Sequence, residues 1–83
     1  MDRAEIETTV RKVLAEQFAF DESKVTMESR FSEDLDADSL DMVEATMALE
    51  EALGIQIADE EVADFKTVGQ AVALAADKLG VPA

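Results

Sequence analysis

The sequence predicts an all-α fold, a small four-helix bundle with three main helices, one short helix and a long first loop. Apolar residues recur at three- and four-residue steps in three stretches, and capping residues precede three of the predicted helices. No stretch alternates apolar and polar residues for long enough to build a sheet. With 83 residues, we expect one domain, residues 1–83.

The first helix is predicted over residues 3–18, and a long loop follows it. Apolar residues from Ile6 to Phe18 share one face of this helix, and charged residues occupy the other. Residues 19–37 show no sustained period and are rich in turn-forming Asp, Ser and Thr. A loop of that length in a small domain is usually held by its own side chains. The residues expected to pin it to the core are Phe20, Val25, Phe31 and Leu35.

The second helix is predicted from the residue after Asp38 to about Leu53. Asp38 is a favourable N-cap, and Asp41 stands three residues later in the position of a capping-box acid. Gly54 follows the last apolar residue, where a glycine commonly ends a helix.

Two more helices complete the predicted bundle. A short third helix is predicted from Asp59, which is expected to act as its cap. Thr67 and Gln70 form a further capping box, and Gly80 and Pro82 end the helix behind it. The apolar stripe of this last helix is Val68, Val72, Ala75 and Leu79.

The second helix has two apolar faces when residues are placed 100° apart around its axis. The face assigned to the core carries Met42, Ala45, Thr46, Leu49, Ala52 and Leu53. The other face lies beside Ser39 and carries Leu40, Val43 and Met47. Because a helix in a small bundle has one buried side, we expect this second face to be exposed, as a docking surface for partners. The alternative is that it packs under the long loop.

The charge of the chain is strongly acidic, with a formal net charge of −13. The segment from Phe31 to Phe65 contains 12 acidic residues and no Lys or Arg. This argues against nucleic acid and anionic membrane as partners and favours a partner with a basic surface. A solvated surface that only maintains solubility is the alternative interpretation.

The chain contains neither Cys nor His. Disulfides and thiolate metal sites are therefore excluded, and the commonest general base is missing. The charged N-terminus lacks the apolar region of a signal peptide, and no apolar run is long enough to span a membrane. We therefore expect a soluble cytoplasmic protein.

Ser39 is the residue to which the sequence assigns chemistry, although a Ser beside an N-cap is commonly structural. A Ser hydroxyl needs an adjacent base to act as a nucleophile, so Ser39 is more plausible as the substrate of another enzyme. A phosphate attached there would lie at a helix N-terminus, which favours negative charge. The neighbouring Asp36, Asp38 and Asp41 oppose it electrostatically.

Residues 33–41, with the sequence EDLDADSLD, closely resemble the prosthetic-group site of the discrete acyl carrier proteins of bacterial type II fatty acid synthesis. The resemblance continues through residues 43–44, 47–51, 57–61 and 66–68, and so covers nearly the whole chain. The motif Asp-Ser-Leu alone is weak, whereas the extended run in an acidic chain of this size is specific.

The resemblance implies a non-catalytic carrier. Ser39 would receive 4′-phosphopantetheine from coenzyme A through a magnesium-dependent holo-carrier synthase, a phosphopantetheinyl transferase. The thiol of this arm would hold growing acyl chains as thioesters, sheltered between the helices. No specific metal site is implied, and the protein is expected to be a monomer.

The resemblance also implies partners with basic surfaces: holo-carrier synthase, ketoacyl synthases, reductases, dehydratases and acyltransferases. The residues that would dock them are Asp38, Leu40, Asp41, Val43, Glu44, Met47, Glu50, Glu51 and Asp59.

The chain departs from the family pattern at four positions. Asp36 replaces a frequent Gly, which predicts that the loop needs no positive φ there. Ala58 replaces a frequent Pro and would loosen the approach to the third helix. Ala45 and Thr46 are smaller than the usual core residues, which could enlarge the acyl cavity or weaken packing. The chain length of the acyl group is left open.

Three alternatives remain. The same carrier chemistry could serve polyketide or other specialised acyl assembly. Asp34, Asp36 and Asp38 have the spacing of an EF-hand calcium loop, but Ser39 replaces its Gly and Ala45 its bidentate Glu. The third alternative is an acidic interaction module whose Ser39 is never modified.

Overall fold

The computed structural model describes residues 1–81 and confirms the all-α prediction. Its α helices are α1 (Arg3–Phe18), α2 (Ser39–Leu53), α3 (Asp59–Ala63) and α4 (Val68–Lys78). A 3₁₀ helix at Glu22–Lys24, which the sequence did not predict, lies within the long first loop. Over this part of the chain the only β-type pairing is an isolated bridge, and no helix is long and apolar enough to cross a membrane.

The three long helices each begin at a capping box, in which two side chains and two backbone N–H groups pair reciprocally. The pairs are Asp2 with Glu5, Asp38 with Asp41, and Thr67 with Gln70. In α2, the Asp38 carboxylate accepts from the Asp41 N–H at 2.9 Å, and the Asp41 carboxylate accepts from the Asp38 N–H at 3.1 Å. These bonds start α2 at Ser39, as predicted, and Gly54 ends it with a φ of +67°.

The start of the short helix α3 differs from the prediction, whereas the end of α4 agrees with it as far as the described residues extend. Ala58, and not Asp59, occupies the N-cap position of α3, so the predicted capping role of Asp59 is wrong. The Glu61 carboxylate accepts from the Ala58 N–H at 2.9 Å and satisfies this end of the helix instead. Gly80 follows α4 with a φ of +71°, while Pro82 lies outside the described residues.

The core lies between α1, α2 and α4, with α1 packed against both other helices. Its fully buried side chains are Ile6, Val10, Leu14, Val25, Val68 and Val72. Ala45, Thr46, Leu49 and Leu53 contribute the buried face of α2, whereas Ala52 is exposed and its assignment to that face is wrong. Ala52 lies at the edge of the predicted arc, next to the exposed Glu51.

The long first loop is pinned to this core as predicted. Val25, Phe31 and Leu35 are buried, and Phe20 is half-buried against the core. The Arg11 side chain holds the 3₁₀ turn by donating from Nε to the Val25 carbonyl at 2.9 Å. The loop that precedes α2 is therefore held in one conformation by the core.

Asp36 contradicts the prediction made for it, because its φ is +55°. The backbone bends sharply here: the Leu35 N–H donates to the Arg30 carbonyl, and the Ala37 N–H donates to the Phe31 carbonyl at 2.9 Å. Closing both bonds requires a left-handed residue between them, and Asp tolerates that conformation better than most residues with a Cβ.

Candidate functional site

Ser39 is the first helical residue of α2 and its side chain is exposed. The amides at a helix N-terminus have no intrahelical partners, and the helix dipole places partial positive charge there. Only the Asp41 amide is satisfied by the Asp38 carboxylate. The position therefore suits a phosphodiester attached to the Ser39 oxygen, which fits the chemistry of a phosphopantetheine group.

A cavity of about 510 Å³ opens beside Ser39, between α2 and α3. The α2 residues that form its apolar wall are Met42, Val43 and Met47. The facing segments contribute Phe31, Ile57, Val62 and Phe65. Thr46 also lines the cavity, while Ala45 does not, so only one of the two smaller residues on α2 borders this space. An apolar cavity next to an exposed hydroxyl can shelter a chain tethered at that hydroxyl.

The far wall of the cavity is built from residues distant in sequence. The rings of Phe31 and Phe65 are stacked with centroids 6.3 Å apart. The Phe31 N–H also donates to the Lys66 carbonyl at 3.0 Å, which ties the first loop to the connection between α3 and α4.

Two polar contacts hold α3 over the cavity. The Glu50 carboxylate accepts from the Ile57 N–H at 2.8 Å, which anchors the connection between α2 and α3. Lys78 Nζ lies 3.1 Å from Glu61 Oε1, which links α3 to α4. The Ala58 N–H and then Lys78 lower the pKa of Glu61 from its usual value.

The second apolar face of α2 is exposed, as the sequence predicted. Leu40, Val43 and Met47 are 65%, 54% and 61% exposed, respectively. Their docking role stays a prediction.

The acids predicted to dock partners fall into two groups. The exposed carboxylates are Asp38, Glu44, Glu51 and Asp59. Asp41 and Glu50 are half-buried and also accept hydrogen bonds from the backbone, so part of their role is to hold the fold. Glu44 remains exposed, although Gln17 Nε2 of α1 donates to its carboxylate at 3.3 Å.

The Asp residues with calcium-loop spacing do not converge on a point. Asp34 accepts from the backbone N–H and the Nε of Arg30, and these contacts lower its pKa. Asp38 is engaged in its capping box. Within residues 1–81, no group of three or more acidic side chains is arranged to hold a metal ion.

The sequence did not identify the cavity residues Ile57, Val62 and Phe65 or the contact between Glu61 and Lys78. Phe31 was predicted only as a residue pinning the loop. Hydrophobicity alone signals burial of such residues, but not which distant segments they face.

The family described as "Phosphopantetheine attachment site" matches residues 8–75 of the chain. The chain is 51% identical over 72 residues to a curated acyl carrier protein of Rubrobacter xylanophilus, covering 87% of this chain and 89% of that protein. It is 41% identical over 81 residues to an acyl carrier protein of Petrotoga mobilis, covering 98% and 95% of the two chains.

A solved structure of an acyl carrier protein from Enterococcus faecalis has a similar fold. The TM-score is 0.78 at 32% sequence identity, and the match covers 94% of this chain and 99% of that chain.

Proposed function

Because the chain belongs to the acyl carrier protein family, we propose that it carries growing acyl chains of fatty acid biosynthesis as thioesters on a 4′-phosphopantetheine arm attached to Ser39. The observation that carries this proposal is the position of Ser39: exposed, at the N-terminus of α2, and at the edge of an apolar cavity. The cavity would shelter the apolar part of the chain.

Attachment of the arm requires a second protein. The Ser39 oxygen would form a bond to phosphorus as the P–O bond inside the diphosphate of coenzyme A breaks and adenosine bisphosphate leaves. The hydroxyl proton needs a base, and this chain has no His and no carboxylate bonded to Ser39 among the hydrogen bonds of residues 1–81. The base would therefore come from a holo-carrier synthase. Once attached, the arm supplies the thiol that this Cys-free chain lacks.

The exposed face of α2 supports the proposed encounter with enzymes. Leu40, Val43 and Met47 offer apolar contact area, and the exposed Glu44 and Glu51 lie on the same helix. Charged groups at the border of such a surface steer a basic partner, and the apolar centre contributes affinity. The partners this surface suits are holo-carrier synthase, ketoacyl synthases, reductases, dehydratases and acyltransferases.

Intact mass spectrometry tests the attachment site. We expect incubation with coenzyme A, magnesium and a holo-carrier synthase to add one phosphopantetheinyl increment. Ser39→Ala should abolish it. Ser32→Ala is the matched control, because Ser32 is also exposed and lines the same cavity. An increment retained in Ser39→Ala, or none with a synthase active on another carrier, would overturn the proposal.

A further inference from the structure

Thr46 contributes a threonine side chain to the wall of the cavity, beside the apolar Met42, Val43 and Met47. It is only 7% exposed, and it is the buried polar residue among those that line the cavity in the described chain. Ser32, Ser39 and Asp59 also line the cavity, but they are exposed, and the half-buried Glu50 carboxylate there already accepts from the Ile57 N–H. Thr46 is seven residues beyond Ser39 on α2, about 10 Å along the helix axis. The cavity therefore extends at least this far from Ser39 along α2.

The hydrogen bonding of Thr46 leaves it able to accept from a ligand. Its Oγ1 donates to the Met42 carbonyl at 2.7 Å, which uses the single proton of the hydroxyl. A hydroxyl oxygen also has two lone pairs, and within residues 1–81 no group donates to them. A donor that enters the cavity would find an acceptor already oriented by the helix.

We propose that Thr46 makes the cavity favour acyl chains that carry a hydroxyl group over fully saturated chains of the same length. This inference rests on the proposed function, since it needs an acyl chain tethered at Ser39. A saturated chain passing Thr46 leaves its lone pairs desolvated and unpaired, which costs free energy. A chain with a hydroxyl group can donate to Oγ1 and recover that cost. Thr46 thus acts as a specificity-determining residue.

Thr46→Val tests the proposal because it removes the hydroxyl while keeping a β-branched side chain of the same shape. Apo-protein is loaded by a phosphopantetheinyl transferase with octanoyl-coenzyme A or β-hydroxyoctanoyl-coenzyme A. The quantity measured is the rise in Tm that each acyl group produces over the holo-protein. In the parent chain, we expect the hydroxylated chain to raise Tm more than the saturated one. In Thr46→Val, this difference should fall by about 4 °C, the size of shift that one net hydrogen bond gives in a domain of this length.

Two further variants separate the hydroxyl from packing. Thr46→Ser keeps the hydroxyl and should retain the preference for the hydroxylated chain. Thr8→Val makes the same chemical change at an exposed position of α1. It should leave the Tm increases produced by both acyl groups unchanged. NMR shifts of the residue 46 amide, compared between the two loaded forms, report directly whether the chain reaches this position.

The outcomes distinguish this inference from the function on which it rests. If no mass increment appears on loading, both the proposed function and this inference are overturned. If loading is normal but Thr46→Val lowers the Tm increases of both acyl groups equally, then either an amide of the arm is the donor or the effect arises from packing. In that case only the selectivity is overturned, and the proposed function stands. Equal Tm increases for the two acyl groups in the parent chain overturn the selectivity as well.

Discussion

Glu50 and Ile57 are joined across the turn between α2 and α3 by a hydrogen bond of 2.8 Å from the Ile57 N–H to the Glu50 carboxylate. Both residues line the cavity beside Ser39. The family resemblance implied a docking role for Glu50, whereas the structure shows that one of its oxygens is used within the chain. This bond fixes the segment that leads into α3, and so helps to set the width of the cavity.

Glu50→Ala should destabilise the protein by about 1–2 kcal/mol, because a half-buried N–H loses a charged acceptor. Glu50→Gln keeps an acceptor oxygen and should cost less. Urea unfolding followed by circular dichroism measures both free energies. Glu51→Ala is the control, since Glu51 is exposed and has no hydrogen bond or ion pair in the described part of the chain. Equal stabilities of Glu50→Ala and Glu51→Ala would contradict the assigned role.

Features of α2 that depend on neighbouring residues were predictable from the sequence. Its start depends on Asp38 and Asp41, which pair within three positions, and its end depends on Gly54. The exposure of the second apolar face of α2 was also predictable, because helical periodicity alone places Leu40 and Val43 away from the core side. The assignment of Ala52 to the core face was wrong because Ala52 lies at the border of the predicted arc, where the position of α1 decides burial.

Features that depend on distant segments were not predictable. The positive φ of Asp36 accompanies the hydrogen bond from the Ala37 N–H to the Phe31 carbonyl. No local sequence pattern predicts that bond. The cavity likewise depends on a long-range contact, since two of its lining residues, Phe31 and Phe65, stack on each other although their numbers differ by 34. The identity of Ser39 as the candidate attachment site came from the resemblance of residues 33–41 to a known family, since the residue alone has a structural explanation.

Asp36→Gly should leave stability unchanged or raise it by up to about 1 kcal/mol. Glycine adopts a φ of +55° without the steric cost that Asp has, and the substitution removes a negative charge near Ser39. The control is Ser32→Gly, at an exposed loop position without a positive φ. There, the added freedom of the unfolded chain should cost about 0.5–1 kcal/mol. Urea unfolding compares the two variants. If Asp36→Gly loses as much stability as Ser32→Gly, the left-handed conformation at Asp36 is not a source of strain.

Glu61 should stabilise the protein at neutral pH and lose that effect in acid. Its folded pKa lies below the ordinary value of 4.5, because the Ala58 N–H and Lys78 favour the charged carboxylate. The unfolded chain therefore binds the proton at a higher pH than the folded protein, and the contribution present above pH 4.5 is lost as pH falls through the folded pKa. The Tm of Glu61→Gln should be lower than that of the parent at neutral pH, and the gap should close in acid.

The control for this pH dependence is Glu60→Gln, the same change at the adjacent exposed position, where no ion pair is formed in the part of the chain described. It measures the general relief of repulsion in a chain of net charge −13. A Tm gap for Glu61→Gln that is constant from neutral pH into acid, or that matches the Glu60→Gln gap, would rule out the contacts of Glu61 with the Ala58 N–H and Lys78 as its cause.

Glu44→Lys should raise the KM of a holo-carrier synthase for the apo-protein by at least about threefold at low salt, and the effect should shrink as salt is added. Glu44 is exposed on α2 one turn beyond Leu40, so a Lys there would face the basic surface of the enzyme. Glu28→Lys makes the same charge change at an exposed position of the first loop. If docking uses α2, only Glu44→Lys changes KM strongly. Similar effects of both variants would indicate steering by net charge alone, because a local contact cannot respond equally to charges on different parts of the molecule.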